Sequence, residues 1–144
     1  MGLNLSGKSI FVDTGPLIYF IEGKPIFLDK LFRLFSAAEK GELFINTSII
    51  TFLEVLVLPI RLKQNDLADQ YEKILFNSSG INVIDIDRLI AKKSAYIRSV
   101  YGLKTPDAIQ IATAIENDAD IFLTNDAEFK KINEIEILFL SQDF

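Results

Sequence analysis

Short apolar runs alternate with amphipathic stretches along the whole chain. Residues 9–13 (SIFVD) lack the every-other-residue polarity of a half-exposed strand and read as a fully buried one. Residues 14–22, with Gly15 and Pro16 followed by LIYFIE, predict a short helix. Over 26–40, Phe27, Leu28, Leu31, Phe32, Leu34, Phe35 and Ala38 fall on one helical face. Asp29, Lys30, Arg33 and Glu39 fall on the other, and Gly41 stops the helix. Residues 42–46 (ELFIN) predict a second strand. Thr47 or Ser48 then caps a helix running to about Leu58, with Pro59 near its end. Residues 66–77 form an amphipathic helix on Leu67, Tyr71, Ile74 and Leu75, and 81–84 (INVI) a third strand. Residues 87–101 are helical. Thr105 and Pro106 suit N-cap and N1 of a helix to about Asn117. Residues 120–123 (DIFL) and 136–140 (EILFL) complete the strands.

Strands that are apolar on both faces, separated by helices, describe a sheet covered on both sides. The expected fold is α/β, a three-layer sandwich with a central, mostly parallel five-stranded sheet. In such sheets sites form beyond the carboxyl ends of the strands. No linker, repeat or low-complexity segment divides the chain, and 144 residues suit one domain, 1–144, able to bury roughly 70% of its unfolded surface.

Composition narrows the chemistry. The chain has no His and no Cys. That excludes a Ser–His–Asp triad, a thiolate nucleophile, an Fe–S cluster and every imidazole or thiolate metal site. Chemistry must run on carboxylates, hydroxyls, Lys or Arg, and any metal should be a hard, oxygen-liking cation such as Mg²⁺ or Mn²⁺. A net charge of −5 argues against bulk electrostatic binding of nucleic acid, while leaving room for a local basic patch. The absence of Cys fits a reducing cytoplasm. The N-terminus lacks a cleavable leader pattern, since Asp13 and Pro16 interrupt its apolar run. Gly2 to Ser6 fits a loose myristoylation pattern without the polybasic second signal that stable anchoring needs. The apolar window 43–60 is broken by Asn46, Thr47, Ser48 and Thr51, so no membrane association is expected.

Most of the 20 acids lie on polar helix faces, where solvation explains them. Four do not. Asp13 ends the first strand, Glu54 is the only charge in 43–60, Asp107 opens a helix in LKTPDAIQIATA, and Asp126 follows the fourth strand in IFLTNDAEF. Each has an ordinary reading: a cap or Asx turn for Asp13, a helix-dipole partner for Asp107, a turn for Asp126. Glu54, amid Ile, Phe, Leu and Val, needs a partner. If the four converge, pairs at ~6 Å repel by about 3 kcal/mol each at an effective dielectric near 20, and a divalent cation would relieve that strain.

With IFVDTGPLIYFIE, TSIITFLEVL, YGLKTPDAIQIATA and IFLTNDAEF in this order over residues 10–129, the chain resembles the PIN domain family, which includes VapC-type toxins. The resemblance implies a PIN-like fold and a metal-dependent ribonuclease whose acids Asp13, Glu54, Asp107 and Asp126 bind Mg²⁺ or Mn²⁺. It implies Asp13 as the central ligand, Glu54 and Asp107 completing one metal shell, and Asp126 serving a second metal or orienting water. Thr124 matches the family's hydroxyl before the last acid, and Thr14 the polar residue after the first. Gly15 departs from the pattern, standing where many members have Ser or Asn. The toxin likeness further implies a small antitoxin partner and a homodimer. Leu17, Ile18, Phe20, Phe52 and Val57 suit either an interface or the core, with the core preferred.

RNA needs a cationic approach. Residues 88–106 hold Arg88, Lys92, Lys93, Arg98 and Lys104 and no acid. Arg88, Lys92 and Tyr96 share a helix face, and Tyr96 and Tyr101 offer rings for base stacking. An ordinary solvated basic face, with Tyr101 in the core, is the competing reading. Two enzymatic rivals fit poorly. Asp13-Thr14-Gly15 matches the aspartic-protease tripeptide but occurs once, in a helix-rich pattern. Phosphotransfer to Asp13 lacks the neighbouring acids that such folds carry. The remaining alternative is a catalytically weak PIN-like module that binds RNA or protein.

Overall fold

The computed structural model describes residues 4–142 and 144; Gly2, where the lipidation pattern begins, lies outside them. Chain order runs β1 (Ser9–Val12), α1 (Thr14–Ile21), α2 (Pro25–Glu39), β2 (Phe44–Ser48), α3 (Ile49–Arg61), α4 (Asn65–Asn77) and β3 (Ile81–Ile84). There follow α5 (Arg88–Tyr101), α6 (Thr105–Glu116), β4 (Ile121–Thr124), a 3₁₀ turn over Ala127–Lys131 and β5 (Glu136–Phe139). The five strands form one sheet in the order β3-β2-β1-β4-β5. Every pairing is parallel, with Phe11 opposite Asn46 on one side and opposite Phe122 on the other.

The strands alternate their side chains between two cores, as the pleat requires. Ile10, Val12, Ile121 and Leu123 enter the core under α1–α4, with Leu17, Leu31, Val55 and Tyr71. Phe11 and Phe122 enter the core under α5 and α6, with Ile97, Ala108 and Ile111. There the rings of Phe11 and Phe122 stack at 5.3 Å, and Phe129 tilts onto Phe122 at 4.8 Å. The three-layer sandwich follows from this alternation. Among the described residues, no helix is long and apolar enough to cross a membrane.

Several boundaries move for local reasons. The second strand lies at 44–48 rather than 42–46, because Thr47 and Ser48 pair with Val83 and Ile84 before the helix begins. Ser48 is both last strand residue and N-cap, accepting from the Ile50 amide at 3.1 Å. Pro59 sits inside α3, tolerated in its last turn. Leu28 and Phe32, expected on the buried face of α2, are 38% and 61% exposed; Leu31, Leu34, Phe35 and Ala38 form the buried stripe. Of the residues offered as interface or core, Leu17 is buried, Ile18, Phe20 and Phe52 pack on the core, and Val57 faces solvent.

The turn between α5 and α6 positions one of the four acids. Gly102 ends α5 in the left-handed conformation at φ +69, its amide bonded to the Arg98 carbonyl at 2.9 Å. Thr105 is not the helix cap. Lys104 holds that place, while Thr105 Oγ1 accepts from Arg98 Nη1 at 3.0 Å and the Leu103 carbonyl accepts from Arg98 Nε at 3.1 Å. Arg98 thus braces the turn leading into Asp107. Gly102→Ala should lower stability by about 1 kcal/mol, measured by thermal melting, because a Cβ is strained at that φ.

Candidate active site

The strand order reverses between β1 and β4. From β1 the chain steps outward to β2 and β3; α5 and α6 then carry it back to β4 on the other side. A crevice opens beyond the carboxyl ends at such a point. Here it is a cleft of about 400 Å³ lined by Asp13, Glu54, Asp107 and Asp126, with Thr14, Gly15, Tyr19, Thr124, Asn125 and Ala127. The four acids singled out by their sequence setting therefore meet in one place, from four separate elements.

Asp13 stands directly before α1 but does not cap it with its side chain. Its carboxylate instead accepts from Thr124 Oγ1 at 2.8 Å, and Gln110 Nε2 lies 3.4 Å from its other oxygen. Thr14 donates to Glu54 Oε1 at 2.7 Å. The two threonines thus orient acids, which is the use the structure makes of their hydroxyls. Asp107 lies in the first turn of α6. Asp126 has a local role as well, accepting from the Glu128 amide at 2.9 Å to start the 3₁₀ turn.

Beneath the acids runs a buried polar network absent from the sequence reading. Gln110, 1% exposed, accepts from Ser48 Oγ and donates to Thr51 Oγ1 at 2.7 Å. Thr47 Oγ1 lies 2.8 Å from both Thr51 Oγ1 and the Val12 carbonyl. Every buried side-chain polar atom among the described residues has a partner. This ties β1, β2, α3 and α6 together directly under Asp13 and Glu54. The signal was a lone amide in the apolar run AIQIATA. Gln110→Leu should cost about 2 kcal/mol in denaturant unfolding, since the buried Ser48 and Thr51 hydroxyls each lose their bond to the amide.

Electrostatics sets this cleft apart. None of the three ion pairs among the described residues involves these four acids. Burial raises the Asp13 carboxyl to about 6, against the Thr124 hydrogen bond that lowers it, and Asp107 adds repulsion. Asp107 is raised too, by burial first and then by the charges of Asp126 and Glu54, with Lys104 opposing. The donor set is all oxygen and anionic, which suits a hard divalent cation. Among the described residues, the acids do not close into a tight cage of three or more. Asp13, Glu54, Asp107 and Asp126 are the side chains available to hold such an ion.

The basic segment lies elsewhere. Arg88, Lys92, Tyr96 and Lys104 do not line the cleft. Arg88 precedes Arg98 by ten residues, roughly 15 Å along the axis of α5 and away from the turn that adjoins Asp107. Lys93 pairs with Glu134 at 3.0 Å and lies over the Tyr96 ring at 4.5 Å. Tyr101 donates its hydroxyl toward Asn133 and Glu134. Helical spacing placed these residues on a common face but not that face on the cleft. Of the four, Lys104 alone acts on a site acid, through its charge on Asp107.

The PIN domain family model matches residues 10–135. No curated protein matches the sequence. Solved structures do. VapBC2 from Rickettsia felis, bound to a DNA fragment from its promoter, is similar at 18% identity and a TM-score of 0.75, over 91% of this chain and 98% of that one. A toxin–antitoxin complex from Klebsiella pneumoniae is similar at 25% identity and a TM-score of 0.69, over 92% and 98%. Mycobacterium tuberculosis VapC20, described as a sarcin–ricin loop cleaving toxin, is similar at 16% identity and a TM-score of 0.68, over 88% and 98%.

Proposed function

Since the chain belongs to the PIN domain family, we propose that it is a divalent-metal-dependent endoribonuclease, the toxin of a VapBC-like toxin–antitoxin pair. The observation that carries this reading is the cleft in which four carboxylates converge with no ion pair among the described residues. The charges of Asp126 and Glu54 press on Asp107, and that repulsion costs stability. A site for Mg²⁺ or Mn²⁺ explains it.

Asp13, Glu54 and Asp107 would hold the ion, with Asp126 completing the site or accepting a hydrogen bond from the attacking water. When bound, the ion supplies an activated water and neutralises charge on the phosphate, which suits a site without histidine. The residues of the chain do the rest. Thr124 and Gln110 hold the Asp13 carboxylate, and Thr14 holds Glu54, so that both present oxygens to the cleft. Lys104, at the start of α6, draws the phosphate backbone toward Asp107. Arg88, Lys92 and Tyr96 are left to guide RNA outside the cleft.

Residues 1–144 would act as one nuclease domain in the cytoplasm. An antitoxin and a second copy of the chain need apolar ground, and α3 offers it: Leu53, Val57, Leu58 and Ile60 are each about half exposed. The solved toxin–antitoxin complexes support a partner of that kind.

The test is cleavage of a panel of single-stranded and structured RNAs by the purified chain, freed of any partner, in Mn²⁺ or in EDTA. Cleavage that requires the metal is expected. A folded, metal-binding chain that cuts none of them would shift the reading to a PIN-like binding module.

A further inference from the structure

The rings first suited to base stacking, Tyr96 and Tyr101, lie outside the cleft, yet the cleft contains an aromatic. Tyr19 is the one aromatic ring among its lining residues. It follows Gly15 by four positions on α1, so both occupy the helix face that looks into the cleft. Phe27 of α2 stacks on the Tyr19 ring at 5.5 Å and 25°, fixing its orientation. Lys24, exposed at the start of α2, holds its ammonium 4.5 Å from the centre of the same ring. Among the described residues Lys24 makes no ion pair, and the Tyr19 hydroxyl makes no hydrogen bond. Phe27 and the Lys24 ammonium thus both lie against this half-buried ring, and a base can stack on it only as Lys24 swings off the ring.

We propose that Tyr19 and Lys24 form a nucleotide subsite, Tyr19 stacking one unpaired base of the RNA beside the cleaved bond and Lys24 meeting its phosphate. This deepens the nuclease reading and rests on it. The chemistry is matched on both counts. A base presents a π face to a ring already held in place by Phe27, so stacking orders little that is not ordered already. A contact between lysine and an exposed ring is weak, and a phosphate is the better partner for the ammonium. Beside a cleft lined by four acids, Lys24 also supplies positive charge next to Tyr19, as Lys104 does toward Asp107. A base held in a duplex cannot stack on a side chain, so the subsite selects a single-stranded or looped segment.

The experiment measures binding of a fluorescein-labelled single-stranded oligoribonucleotide by anisotropy, with Ca²⁺ in place of Mn²⁺, and Mn²⁺-dependent cleavage in parallel. Tyr19→Leu keeps apolar bulk against Phe27 and should raise Kd and KM about tenfold while kcat changes less than threefold. Tyr19→Phe should bind as wild type does. Lys24→Gln should raise KM several-fold and flatten the salt dependence of binding. Abasic nucleotides walked along the RNA identify the stacked base: one position should cost wild type about tenfold and Tyr19→Leu nothing more. Tyr19→Leu binding and cleaving like wild type, or losing as much as wild type at every abasic position, overturns the subsite alone. A wild-type chain that neither binds nor cleaves RNA overturns the subsite together with the nuclease reading.

Discussion

Asp107→Asn should reduce the proposed metal-dependent RNA cleavage by at least ~100-fold with little change in fold, because it replaces a carboxylate proposed to hold the metal by a near-isosteric amide. Asp107 makes no side-chain hydrogen bond or ion pair among the described residues, and its surroundings penalise its charge through burial, Asp126 and Glu54. Its position in the first turn of α6 contributes a modest helix-dipole interaction, about 0.5 kcal/mol, which the amide loses. The neighbouring repulsion relieved by the same substitution offsets that loss. Initial rates on a cleaved RNA in Mn²⁺, alongside thermal melts of both chains, separate the two effects. An Asp107→Asn chain that cleaves at the wild-type rate would remove Asp107 from the site.

Asp13→Asn should have opposite effects on stability without and with a divalent cation. Burial raises the Asp13 carboxyl to about 6, above its ordinary 3.8. The folded chain therefore retains a proton that the unfolded chain releases between about pH 4 and 6. Stability from this group is fully present below the unfolded value and is lost as pH rises through 6. Two units correspond to at most ~3 kcal/mol, the cost of keeping Asp13 ionised at neutral pH. Asparagine avoids that cost and can still accept from Thr124. In EDTA at pH 8 the variant should be the more stable by about 1–2 kcal/mol, and its stability should be flatter from pH 4 to 6. Under the proposed function, saturating Mn²⁺ should reverse the order: an ion bound at a hundred times its Kd adds about 2.7 kcal/mol to the wild type, and the variant lacks a carboxylate proposed to hold it. Urea unfolding across pH, with and without Mn²⁺, reads both halves. A wild-type stability that rises between pH 4 and 6 in EDTA would contradict the assigned environment of Asp13.

Both expectations rest on acids that were conspicuous before any tertiary information, and the reason is local. Glu54 interrupts eighteen residues that are otherwise uncharged, and Asp13 and Asp126 terminate apolar strands. A charge in such a setting contradicts the burial that its neighbours demand. The helices and strands were legible on similar grounds, since hydrophobic periodicity is written over ten or fifteen consecutive residues. Where that pattern misled, it was over extent: the apolar stripe of α2 is wider than the face it buries, so Leu28 and Phe32 remain outside.

Gln110 was within reach of the sequence, as a polar residue in an apolar helix, but its partners were not. Ser48, Thr51 and Asp13 lie 62, 59 and 97 residues away. The basic residues of α5 show the converse. Their shared face is a property of the helix, whereas the direction of that face depends on how Arg98 and Gly102 turn α5 into α6. Tyr19 likewise gains its place only from the packing of α1 against α2.

The sequence alone determined an alternation of buried strands and helices, a chemistry limited to oxygen ligands, and four acids that burial could not explain. Only the tertiary structure decided that β4 pairs with β1, which brings Thr124 to Asp13 across 111 residues, and which side chains share their cleft. Periodicity and composition act between neighbours in the chain. Strand order is decided by crossovers whose ends are far apart in sequence, through the burial of both faces of the sheet at once.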